Sequence, residues 1–342
     1  MLWILPILVF ITAAKASESL LDRKPHPFIV ELEAVHERIG EIKLGKVGGL
    51  AFDKNHRKLF IFHRPGFDPK INAKTPIKHD VILEVEFHGN LTRVVRKLGA
   101  GKFYRPHGIY YEDGHLYTTD AASHTVAKWD ITGKEMKLVW ETGVKLEPGS
   151  DGKHYCKPTA ITKVGSRIFV TDGYCNSRVV ELDVNGTRVN SFGILGKSGG
   201  HFHIPHDVIV DPNGHLLISD RENGRVQEIS IDGVFKNQIR SPLFSTIYSA
   251  DVFNHHIFMI PGRPRPGHGN EPISLFVTNN DHVEVVYGPL TKNANYQMIH
   301  PHVLRVCPYS NHIFVGDILP DGTATLLQFR VKDYKMMKTK KL

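Results

Sequence analysis

The chain has 342 residues, 43 Lys and Arg against 35 Asp and Glu, a formal net charge of +8 and an apolar content of 41%. Such a content allows a sizeable core. The basic residues are scattered apart from the tail KDYKMMKTKKL, and no basic stripe alternates with aromatics, which argues against a nucleic-acid surface.

Residues 1–16 read as a secretory signal peptide. Residues 2–11 are almost wholly apolar, and Ala14-Lys15-Ala16 is an A-x-A cleavage pattern. The run is too short to span a bilayer comfortably, and no later segment approaches ~18 uninterrupted apolar residues, so no membrane span is expected. The expected location is secreted or the lumen of a secretory granule. Residues 17–44 read as an N-terminal lead-in, 45–333 as one repeat domain and 334–342 as a basic tail.

Within 45–333 a short alternating strand recurs and ends in aspartate: LYTTD (116–120), IFVTD (168–172), LLISD (216–220) and IFVGD (313–317). Two degenerate copies, LFIFH (59–63) and IFMIP (257–261), bring the number to six. A partner strand precedes each copy: GGLAFD, PHGIYY, PTAITK, PHDVIV, SADVF and PHVLRV. In the clearer copies a third strand follows, as in TVAKWDI and SRVVELDV. Long helical periodicity is absent, and Gly and Pro punctuate throughout. Short strands repeating about every 50 residues predict an all-β, six-bladed β-propeller.

In a propeller the first strand of each blade lines the central channel. Pro-His occurs there at Pro106-His107, Pro205-His206 and Pro301-His302, in blades two, four and six. Alternate blades place His107, His206 and His302 a third of a turn apart. Blade three has Thr159 at this position, so the repeat itself does not demand histidine. Three inward imidazoles suit zinc, with a fourth position open for water or substrate. Arg64 and Arg221 each follow the punctuating residue, in the facing blades one and four, and suit anchoring of a carboxylate. Tyr174 projects from the equivalent loop of blade three, and a phenol near zinc can act as a base.

There are three cysteines. In an oxidising compartment two should bridge; Cys156 and Cys175 are close in sequence, and closing such a loop is worth about 3 kcal/mol. Cys307 is then the odd one, expected to be buried. The sequons at Asn90 and Asn185 fit glycosylation of a secreted surface.

YCKPT (155–159), TDGYCNSR (171–178), IPHDV (204–208) and SDRENGRVQ (219–227) resemble the peptidyl-α-hydroxyglycine α-amidating lyases, and the repeats resemble the NHL repeats of that family's six-bladed propeller. The resemblance implies cleavage of a C-terminal peptidyl-α-hydroxyglycine to a peptide amide and glyoxylate, the second step of peptide amidation. It implies His107, His206 and His302 as zinc ligands, Tyr174 as the base, Arg64 and Arg221 as substrate-holding arginines, and Cys156–Cys175 as a disulfide beside that tyrosine. It implies α-hydroxyglycine-extended peptides as substrates and, as functional partner, a separate copper monooxygenase that makes them. Three departures bear on stability and metal content. Leu217 and Glu228 stand where a second disulfide would be. The family's calcium site would take carbonyl oxygens of Leu50 and Ile109, but Val303 replaces its aspartate, and calcium normally wants carboxylates. A methionine near the zinc becomes His300. The alternative reading is a secreted propeller that only binds; metal content together with turnover separates the two. A calcium-dependent lactonase, with inward carboxylates and amides, fits the three histidines less well.

Overall fold

The computed structural model describes residues 28–66, 74–262, 273–279, 282–289, 291 and 294–333. The signal peptide expected at 1–16 and the tail at 334–342 lie outside them. Six four-stranded antiparallel sheets follow one another in chain order as the six expected blades. Their first strands are Lys46–Asp53, Pro106–Glu112, Ala160–Val164, Pro205–Val210, Ser249–Phe253 and Pro301–Val306. These neighbour one another in a closed ring around the axis. The sixth blade borrows its outer strand: Phe28–His36 pairs with Ala324–Asp333, from Phe28 opposite Asp333 to His36 opposite Leu326. Part of the stretch read as a lead-in is therefore a structural strand. No described helix is long and apolar enough to cross a membrane.

The core is six wedges, one between each pair of neighbouring blades. Strand alternation explains them. In the second strand of blade four, Leu216 and Ile218 face blade three, whereas Leu217 faces blade five. Both faces are buried, so the strand is apolar throughout, with side chains feeding opposite wedges.

The repeated aspartates have a structural task that also sets up the channel. The Asp120 carboxylate accepts backbone N–H bonds from Arg105 (2.9 Å), Ala122 and Ser123. Asp220 accepts from His203 (2.7 Å) and Asp317 from Ile299 (2.9 Å). Each thus fixes the loop entering the inner strand of its own blade, two or three residues before a Pro-His histidine. In the degenerate first copy His63 does the same: its Nδ1 accepts the Gly45 N–H at 3.1 Å. Burial holds that imidazole down at about 4, neutral and able to accept.

Candidate metal centre and active site

His107, His206 and His302 sit where the inner strands bulge. Pairing with the second strand shifts register between Pro106 and Ile109, between Pro205 and Asp207, and between Pro301 and Val303. A bulge re-aims a side chain that the regular ladder would bury in a wedge, and these three turn into the channel. Close approach of the neighbouring inner strand makes the ring tight. A Cβ on Gly48 would lie 2.6 Å from the Pro106 carbonyl oxygen, and one on Gly49 would lie 2.6 Å from that of His107.

The ligand nitrogens of the three histidines lie within 4.8 Å of one another. His107 Nδ1 bonds the Thr159 carbonyl at 2.7 Å, and His206 Nδ1 bonds the Tyr248 carbonyl at 2.8 Å. A carbonyl can only accept, so both Nδ1 atoms carry the proton and both Nε2 atoms present lone pairs to the axis. Burial, reinforced by neighbouring positive charge, keeps all three pKa values well below the usual histidine range, with His206 pushed down to about 3. His302 Nδ1 is buried without a hydrogen-bond partner. Neutral converging imidazoles, carbonyl-fixed tautomers and one orphaned ring nitrogen fit a soft-to-borderline cation such as zinc.

Tyr174 closes the fourth side. Its hydroxyl lies 3.0 Å from His107 Nε2 and 3.2 Å from His206 Nε2. The Cys156–Cys175 disulfide is formed at the adjacent residue, and Cys307 is free and buried. Arg64 is buried, and its Nε donates to the Pro106 carbonyl at 2.8 Å; burial pushes its guanidinium down to about 10. Arg64, His107 and Tyr174 line one cavity of about 390 Å³ with Lys46, Arg105 and Lys157. Arg221 reaches the same tyrosine from the other side, its guanidinium 5.3 Å from the Tyr174 ring and 4.9 Å from the Tyr248 ring. The three histidines, Tyr174, Arg64 and Arg221 are therefore brought together, whereas Leu50 and Ile109 line a separate cavity with Arg305.

Sequence reasoning missed Tyr248. Its ring packs 4.8 Å from that of His206, its carbonyl orients that histidine, and it holds Arg221 against Tyr174. It falls just before a weak repeat copy, where no motif marks it. His300 lies outside the converging group. Leu217 and Glu228 stand opposite each other in adjacent strands, and Glu228 accepts from His215 Nδ1 at 2.6 Å. Asn90 and Asn185 are exposed on turns.

The calcium site does not fit. Val303 is buried in the wedge between blades six and one, packed in the same cluster as Leu50. Asp207, which lines one small cavity with Val303, is engaged on both oxygens by Arg305, at 2.6 and 2.7 Å.

An NHL repeat model matches residues 103–129 and 202–229, the segments that carry His107 and His206. A peptidyl-alpha-hydroxyglycine alpha-amidating lyase of Drosophila melanogaster is 31% identical over 314 residues, 82% of this chain and 56% of that protein. The chain is a homologue of the peptidyl-α-hydroxyglycine α-amidating lyases. A probable lyase of the same name from Caenorhabditis elegans is 35% identical over 198 residues, 54% of this chain and 55% of that protein. The peptidylglycine alpha-amidating monooxygenase of Rattus norvegicus is 32% identical over 296 residues, 80% of this chain but 29% of its own length. The chain thus spans just over half of these two lyases and under a third of the rat protein. Among solved structures, a Bacteroides thetaiotaomicron protein of unknown function aligns with a TM-score of 0.57 at 12% identity, over 89% of this chain and 76% of that one. A streptogramin B lyase aligns at 0.51 and 13%, over 89% and 98%. At such identities these two show the propeller fold alone.

Proposed function

We propose that the chain is a zinc-dependent lyase that splits C-terminal peptidyl-α-hydroxyglycine into a peptide amide and glyoxylate. The observation that carries the reading is the meeting of three neutral histidines from alternate blades with one tyrosine hydroxyl, 3.0 and 3.2 Å from two of them. The homologous lyases supply the substrate class.

His107, His206 and His302 would hold zinc, which when bound supplies Lewis acidity toward an oxygen of the substrate. Arg64 and Arg221, entering from opposite blades, are placed to grip the glycine carboxylate. Tyr174, between them, takes the proton of the α-hydroxyl. The oxygen's electron pair becomes the carbonyl of glyoxylate, the C–N bond breaks, and the departing amide nitrogen takes up the proton that Tyr174 received, which restores the base. The buried walls around Arg64 exclude water and strengthen its hold on the carboxylate. The hydroxyglycine peptide would come from a separate copper monooxygenase acting on glycine-extended peptides in the secretory lumen.

Glyoxylate release from α-hydroxyhippurate tests the reading, corrected for spontaneous breakdown. Release that a zinc chelator abolishes and added zinc restores is the expected result. Folded, zinc-loaded protein that releases none would leave the propeller a binding module.

A further inference from the structure

At the far end of the histidine channel, three inner strands meet through one polar cluster. Asp207 follows His206 in blade four, Ser249 opens blade five, and Arg305 lies three residues after His302 in blade six. The two terminal nitrogens of Arg305 donate to the two Asp207 oxygens at 2.6 and 2.7 Å, a bidentate fork. One of them also donates to the Leu304 carbonyl at 2.7 Å. The Ser249 hydroxyl donates to Asp207 and accepts the Leu304 N–H at 3.0 Å. The Asp207 and Arg305 side chains are 7% and 14% exposed.

We propose that Arg305 is a built-in cation that replaces a divalent ion beneath the histidine ring, tying the strand of His206 to that of His302 and making the folded site independent of calcium. A calcium ion takes six to eight oxygens. Here a carboxylate, a hydroxyl and a carbonyl, the oxygens such an ion would use, already surround a guanidinium. The cavity between this cluster and the histidines, lined by Ile109, Asp207, Val303 and Arg305 among others, is about 10 Å³. That holds about one water molecule. Val303 closes the remaining side with apolar packing. An ion pair spanning the two strands fixes their separation, and with it the separation of two of the three imidazoles. Arg305 is thus a positioning residue; it touches neither metal nor substrate.

The test uses zinc-loaded protein freed of calcium. Its melting temperature is expected to stay unchanged when millimolar calcium chloride is added, and equilibrium dialysis with radioactive calcium is expected to show no site. A calcium-dependent rise of several degrees, or one calcium bound per chain, overturns the proposal. The positioning role is read from the zinc dissociation constant of Arg305→Lys, which keeps the charge and loses the fork. That variant is expected to bind zinc about tenfold more weakly at temperatures where it is folded. Unchanged zinc affinity in the folded variant overturns the positioning role. Neither measurement involves turnover, so this inference and the lyase reading fail separately.

Discussion

His107 and His206 donate their Nδ1 protons to carbonyls of the next blade, Thr159 and Tyr248, so their Nε2 atoms are committed to the axis before any ion arrives. Removal of one ligand leaves two and an open side. His206→Ala is expected to lose both bound zinc, read by metal analysis, and glyoxylate release; full activity in the purified variant would remove the histidines from the mechanism. Tyr174 is one step out. Tyr174→Phe keeps the ring that Arg221 stacks on and deletes only the proton acceptor. Zinc content is expected to stay, while kcat falls by about 10²–10⁴-fold; an unchanged kcat would move the base elsewhere. The histidines, Tyr174, Arg64 and Arg221 were legible because the repeat gives each a register, and a departure from the repeat stands out. Tyr248 and Arg305 were not. Tyr248 acts through a carbonyl and a ring face at the edge of a weak copy, and the partner of Arg305 is 98 residues away.

At the level of elements, the inner and second strands announce themselves because burial on both faces makes them apolar and the aspartate cap marks their ends. The fourth strands do not. Lys137–Thr142 and Phe235–Arg240 are mostly exposed, so neither alternation nor apolar runs mark them. Phe28–His36 was hidden for another reason: its register is set by Ala324–Asp333, almost the whole chain away. The Cys156–Cys175 bridge steadies the loop that carries Tyr174. Replacing both cysteines by serine is expected to lower the unfolding free energy by about 3 kcal/mol, the cost of freeing a loop of this size. Denaturant titration measures it, and kcat is expected to fall with it, since the base sits beside the bridge. In the seam of the sixth blade, Phe329 is fully buried between the strands of blades five and six. Phe329→Ala is expected to cost about 3–5 kcal/mol by the same titration.

Across the whole molecule, six apolar wedges hold the blades and the axis is left to polar groups, so the ring of histidines is a property of closure rather than of any one blade. Its acid sensitivity follows. In the metal-free protein His206 titrates near 3 when folded, against 6.5 for an ordinary histidine. Between those values the unfolded chain binds the extra proton, so stability rises with pH there. The contribution is fully present above about pH 6.5 and is lost as the pH falls toward 3. Melting curves of zinc-free protein at stepwise lower pH are expected to show this loss, and zinc, which needs neutral imidazoles, is expected to hold the folded state to lower pH. A melting temperature flat across that range would contradict the buried, neutral ring. The measurement that bears most directly on function is product stoichiometry from a short peptide ending in α-hydroxyglycine, incubated with zinc-loaded protein and followed for both products. Peptide amide and glyoxylate appearing in equal amounts, well above the spontaneous rate, is the outcome expected of the lyase. Amide formation no faster than the blank, from folded protein with zinc in the histidine ring, would contradict it.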